Sequence, residues 1–199
     1  MRRTFSSDHF NKTQKVKIGN LLNYLATNIP ELYLTKLLKI LYIIDELSVK
    51  RSGVPVSWLK YKVWKNGPVA NKLYSDLRWK NGLQFIDYIE VIQDEEYSGF
   101  KIKPKSVFDD SEFSDYEMNL IDEVILKFKD KSADEIIDVL HLEGSLWYKI
   151  VEEENLQEKF EIDGENTTPF EIDFTDLIEQ DADKLNHFIA SKDTIEFIN

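Results

Sequence analysis

The sequence predicts a mainly α-helical fold of the α+β class: a compact multi-helix domain with a small β-hairpin or short sheet, followed by an acidic C-terminal extension. Three observations carry that prediction. Two successive stretches, from Ile18 to Ile29 and from Leu34 to Leu47, repeat apolar residues at helical spacing. Two copies of S-x-x-E, Ser114 to Glu117 and Ser132 to Glu135, have the spacing of a capping box, in which the Ser accepts from an early helix amide and the Glu reaches back to the cap amide. Charge divides along the chain: residues 1–108 hold 18 Lys+Arg against 10 Asp+Glu, net +8, and residues 109–199 hold 7 against 27, net -20. A length of 199 residues suits one main core, and 12 Phe, 9 Tyr and 4 Trp can bury enough surface to offset chain entropy. The expected organisation is an N-terminal arm (1–15), a main domain (16–154) and the acidic extension with a terminal helix (155–199).

Each element has its own signal. From Val16 to Ile29, the residues Ile18, Leu21, Leu22, Leu25, Ala26 and Ile29 form one helical stripe that Pro30 ends. Leu34, Leu37, Leu38, Leu41, Ile44 and Leu47 repeat it, and Ile40 and Ile43 widen the stripe until a whole turn is apolar, which predicts a central buried helix. Gly53 stops that helix after Lys50 and Arg51 have placed positive charge near its last carbonyls. The segment 58–64 alternates and is rich in Val, Trp and Tyr, which predicts a short extended stretch. Asn66-Gly67 then reads as a turn and Pro68 as the first turn of a helix over 68–79, with Val69, Leu73 and Leu77 inward. Ile89, Val91, Phe100 and Ile102 around Ser98-Gly99 predict a β-hairpin.

The capping boxes start helices that run to about Lys129, with Met118, Ile121, Val124, Ile125 and Phe128 inward, and to about His141, with Ile136, Val139 and Leu140 inward. A short helix over 146–154 follows Gly144. From Asn155 the pattern thins into an acidic stretch with scattered Phe and Ile, either a partner-dependent segment or a loop pinned by its aromatics. A last helix is expected over 176–190, through Leu177, Ile178, Leu185 and Phe188.

Chemistry is mostly excluded. There is no cysteine, so disulfides, thiolate zinc sites and Cys nucleophiles fall together, and a reducing, cytoplasmic setting fits. No stretch approaches the roughly 20 apolar residues of a membrane span, and the basic start lacks the apolar run of a signal peptide. The turn "KNGPVANK" has one glycine and an amide-less proline, whereas a phosphate loop needs several free amides. His9, His141 and His187 show no metal-ligand spacing, and His141 reads as a helix-capping or structural residue. No catalytic residue, cofactor site or metal site is expected, and the chain reads as no enzyme. The acidic half disfavours nucleic acid and suits a basic protein partner. Lys65, Lys72, Tyr74, Arg78 and Trp79 form the best basic-aromatic patch for a partner, and Phe170 and Phe174 are the aromatics of the extension that could join it.

Three stretches together are more specific: "LTKLLKILYIIDELSVKRSGVPV", "YKVWKNGPVANKLYSDL" and "SADEIIDVLHLEGSLW". They resemble the Panacea domain, the SocA-like antitoxin family, over about residues 16–152. The resemblance rests on the helix from Leu34 to Tyr42, the turn from Gly53 to Pro55, the segment from Trp64 to Tyr74, and Leu140, His141, Glu143 and Trp147. Within it Trp64, Gly67, Pro68, His141 and Trp147 are the motif's structural residues. The resemblance implies a small helical antitoxin that neutralises a neighbour-encoded toxin by direct contact. Some members are similar to adaptors that deliver a partner to a protease, so the alternative is a phage- or mobile-element-associated regulator or protease adaptor that is no antitoxin.

Overall fold

The computed structural model describes residues 9–80 and 82–197. Most of the expected N-terminal arm, residues 1–8, lies outside the described residues. The first helix, α1 (Lys12–Asn28), starts one turn earlier than its apolar stripe, because the Asn11 side chain accepts from the Gln14 amide at 2.8 Å and so satisfies one of the free amides of the first turn. The central helix α2 (Leu34–Ser52) buries almost its whole circumference, and Gly53 closes it in the left-handed conformation at φ 83°.

After α2 the chain enters a loop fixed from below by a buried carboxylate. Asp45 of α2 is fully buried and accepts from the Ser57 amide at 2.7 Å, from the Ser57 hydroxyl, and from the Tyr61 hydroxyl at 2.7 Å. These donors offset part of the cost of burial, which nonetheless pushes the Asp45 carboxyl up to about 6. The extended stretch expected over 58–64 narrows to a strand, β1 (Lys62–Trp64), paired antiparallel with β2 (Gly67–Val69).

Pro68 therefore does not begin a helix. It is the middle residue of β2, opposite Val63, and the turn is made by Lys65 and Asn66, with Gly67 at φ 93°. The fixed φ of proline suits a strand as well as a helix start, and its missing amide costs nothing in so short a ladder. The following helix, α3 (Asn71–Trp79), starts three residues later than expected.

The second hairpin matches its alternation: β3 (Ile89–Asp94) pairs with β4 (Gly99–Pro104) through six residue pairs. Both capping boxes are present, at Ser114 for α4 (Asp115–Phe128) and at Ser132 for α5 (Ala133–Leu140). Val139 of α5 faces solvent rather than the core, since Ile136 and Leu140 already fill the inward positions one turn apart. Ser145 caps α6 (Leu146–Glu153), and α7 (Leu156–Glu161) follows directly.

The last helix is shifted. Leu177 and Ile178 belong to a 3₁₀ turn (Phe174–Leu177) and its C-terminal flank, and α8 (Ala182–Phe197) begins after them. Residues 166–174, which lead from beyond α7 into the first residue of that turn, form a strap along the outer side of β1. Eight α-helices and two small hairpins among the described residues make a mainly helical fold with little β structure. α2 is its centre and touches α3, α4, α5, α8, β2 and β4.

Candidate partner-binding site

The motif residues, scattered over 84 positions from Trp64 to Trp147, converge on the β1–β2 hairpin. Lys39 reaches up from α2 and donates to the Pro68 carbonyl at 2.9 Å. The Trp147 indole on α6 donates to the Trp64 carbonyl at 2.8 Å. His141, which caps the C-terminus of α5, stacks face to face on Trp147 at 3.7 Å and 7°. Trp64 meets Tyr74 of α3 edge to face at 5.0 Å. At Gly67 a Cβ would stand 3.2 Å from the Lys39 ammonium nitrogen and 3.6 Å from His141 Nε2, so the missing side chain is what lets Lys39 and His141 crowd the hairpin. Helices α2, α3, α5 and α6 thus meet around a ladder of three residue pairs.

Burial sets the electrostatics of this joint. Lys39 is 2% exposed, and loss of hydration pushes its ammonium down to about 7. Burial, and then the charge of Lys39, push His141 down to about 4, so its ring is neutral at pH 7. The protonated capping role open to a histidine at a helix end is therefore not used; the ring packs on Trp147 instead. His141 Nε2 is buried and makes no hydrogen bond. The burial of Lys39 has a signal in the sequence, its place between Leu38 and Ile40 inside the helix turn that is apolar all round.

The partner candidates occupy different surroundings. The Lys65 ammonium donates to the Phe160 carbonyl at 2.8 Å and ties the hairpin turn to α7. Lys72 donates to the His9 carbonyl at 2.7 Å and lies 4.4 Å over the Phe10 ring. Tyr74 is half-buried on Trp64. Arg78 is held between the Trp79 ring at 4.4 Å and the Phe100 ring at 4.1 Å. Trp79 is 67% exposed, and Leu83 and Ile86 just beyond it are exposed as well. Phe170 is half-buried in the strap. Phe174 is in the core, tilted against Tyr42 at 5.6 Å and edge to face with Tyr61 at 5.7 Å, which removes its ring from any surface. The exposed part of the patch is thus Trp79 with the apolar residues that follow, while Arg78 beneath it is half-buried.

Among the described residues no three His, Asp or Glu side chains gather as a metal site requires, and no helix is long and apolar enough to cross a membrane. A small helical domain with the β1–β2 hairpin clamped among four helices leaves Trp79, Leu83 and Ile86 exposed at one side. The model of one family, antitoxin SocA-like, Panacea domain, matches residues 37–148, from within α2 to within α6. The match spans more than half of the 199 residues and encloses every motif residue of the hairpin joint; the chain belongs to this family. No curated protein and no solved structure matches it.

Proposed function

We propose that this protein is the antitoxin of a toxin–antitoxin pair and neutralises a neighbour-encoded toxin by direct protein contact. Membership of the SocA-like antitoxin family is the observation that supports this reading, because such a family implies a cognate toxin as partner. Neutralisation by occlusion asks for surface complementarity and for no catalytic group, so the protein acts without an enzymatic step. The exposed Trp79, with Arg78 stacked on it, offers the aromatic and guanidinium pairing that dominates many interface energies. The excess of 27 acidic over 7 basic residues in positions 109–199 suits a toxin with a basic surface, drawn in by long-range attraction.

Co-expression tests the reading. The adjacent open reading frame expressed alone should arrest growth, and the addition of this protein should relieve the arrest. A toxic neighbour left fully active by this protein ends the proposal. Trp79→Ala should weaken the purified complex at least tenfold with the fold intact by circular dichroism. Raising salt should slow association more than it speeds dissociation.

A further inference from the structure

The outer edge of β1 is covered by the chain itself. The Val63 amide donates to the Phe170 carbonyl at 3.0 Å, the Ile172 amide to the Tyr61 carbonyl at 2.9 Å, and the Lys65 amide to the Asn166 carbonyl at 3.0 Å. Lys62 and Glu171 face each other as an antiparallel bridge, and the Thr168 hydroxyl donates to the Val63 carbonyl. Along this strap Thr168, Ile172 and Phe174 are buried and Phe170 is half-buried, while Pro169, Glu171 and Asp173 between them are exposed. Around the bridge from Lys62 to Glu171 the strap thus bonds β1 as a neighbouring strand would, with side chains alternating in and out.

Three features set the strap apart from the hairpin it covers. The edge it covers, residues 61–65, lies inside the family's matched region, whereas the strap begins 18 residues after that region ends at 148. The family's hairpin is thus completed here from outside the shared domain. The run 162–167 leading into the strap is exposed throughout, with Gly164 at φ 70° in open space. The chain beyond stays tethered independently, because His187 Nδ1 bonds the Ser52 carbonyl at 2.8 Å and Phe188 packs on Trp58 at 5.2 Å. The strap's own outer edge is closed to further strands by the amide-less Pro169 and the charges of Glu171 and Asp173, devices that keep strand edges from recruiting other chains.

The geometry points to the outer edge of β1 as a strand-docking site for the toxin, in which residues 166–174 are a built-in occupant that an extended toxin segment displaces. The inference rests on the antitoxin reading and adds to it a place and a mode. The replacing segment would carry apolar or small side chains at every second position, matching the places of Thr168, Phe170, Ile172 and Phe174, and its backbone would restore the bonds the strap gives up. Because the strap is tethered at both ends, a competitor must exceed its high local concentration, which favours a segment presented by a protein that also touches a second surface.

Two arms test it on the full chain. A labelled synthetic peptide of residues 165–175 should bind Ile172→Pro, which lacks the amide that donates to Tyr61, at least tenfold more tightly than it binds the unaltered protein. Thr168→Ala, which loses only the hydroxyl bond to Val63, serves if Ile172→Pro fails to fold. Equal binding to the altered and unaltered proteins, or no binding to either, overturns the proposal. In the second arm amide exchange is read with toxin bound: the Ile172 amide should exchange at least a hundredfold faster, while the Val63 and Lys65 amides stay slow. A bound toxin that leaves Ile172 as slow as before overturns this proposal alone; a toxin that binds no form of the protein overturns it together with the antitoxin reading.

Discussion

The two β-hairpins among the described residues are held in different ways. β3–β4 pairs six residues on each side, keeps much of its surface exposed, and packs Ile89, Phe100 and Ile102 into the core. β1–β2 pairs only three, far too few for an isolated hairpin, and is buried along the whole of β2. What it lacks in ladder it gains from outside, through Lys39, Trp147, the strap and the ring of Tyr74. A short hairpin of this kind is a knot tied by its neighbours, so damage to a neighbour should cost more than damage to a pair within the longer hairpin.

The largest effect is expected at Trp147. Trp147→Ala removes a buried indole, its stack on His141 and its bond to Trp64, and should destabilise the fold by roughly 3–5 kcal/mol, read as a shifted urea midpoint. Trp147→Phe, which keeps a ring and loses the bond, should cost about 1–3 kcal/mol. A loss below 1 kcal/mol for the alanine variant would mean that the hairpin does not depend on its surroundings.

Gly67→Ala comes next. It places a Cβ at φ 93° and 3.2 Å from the Lys39 ammonium, and the backbone conformation alone costs about 1–2 kcal/mol. The same variant should loosen the bond from Lys39 to Pro68, visible as faster exchange of the neighbouring Val69 amide.

The third effect is a change of pH slope. Lys39, pushed down to about 7 from 10.5, binds fewer protons folded than unfolded between those values, so it makes stability rise with pH through that range. Lys39→Met should flatten that rise. His141, pushed down to about 4 from 6.5, acts in the same direction between those two values. Asp45, pushed up to about 6 from 3.8, binds more protons folded than unfolded and makes stability fall as pH rises through its own window. Asp45→Asn should therefore steepen the rise between about pH 4 and 6, where His141 is left unopposed. An unaltered slope in either variant would show that the group is as hydrated folded as unfolded.

The smallest effect is expected in the longer hairpin. Lys101 of β4 pairs with Glu31 at 2.6 Å at the surface, and Glu31→Gln should change stability by no more than roughly 0.5 kcal/mol. A loss of 2 kcal/mol there would erase the contrast between the hairpins.

The two hairpins also differ in how legible they were. β3–β4 alternates around a Ser-Gly turn and follows from its own residues, as do the capped helices α4 and α5, because these signals are local. β1–β2 departs from expectation at Pro68, since one fixed torsion fits both a strand and a helix start, and the groups packed on it, such as Lys39 on its carbonyl, lie far away in sequence. The strap lies in the stretch that reads as either a partner-dependent segment or a loop pinned by its aromatics. Its period-two pattern, TPFEIDF, was present, yet proline and two acids hid a strand whose partner lies 105 positions back in sequence. Within the site, the gathering of Trp64, His141 and Trp147 follows from a resemblance in motif, while the burial of Phe174 and Lys39 follows from packing that no local spacing records.

Gly53 ends α2 in a left-handed turn, and the same residue lies under the backbone of α8: a Cβ on it would come within 2.6 Å of the Lys184 carbonyl oxygen. One position therefore answers to two masters, the end of the central helix and the seat of the last one. Asparagine, which serves elsewhere as a substitute in such turns, would satisfy the first and evict the second. Grafting this C-terminal region onto a sibling domain would succeed or fail first at that residue, so the portability of the strap and its helix is written in the domain that receives them.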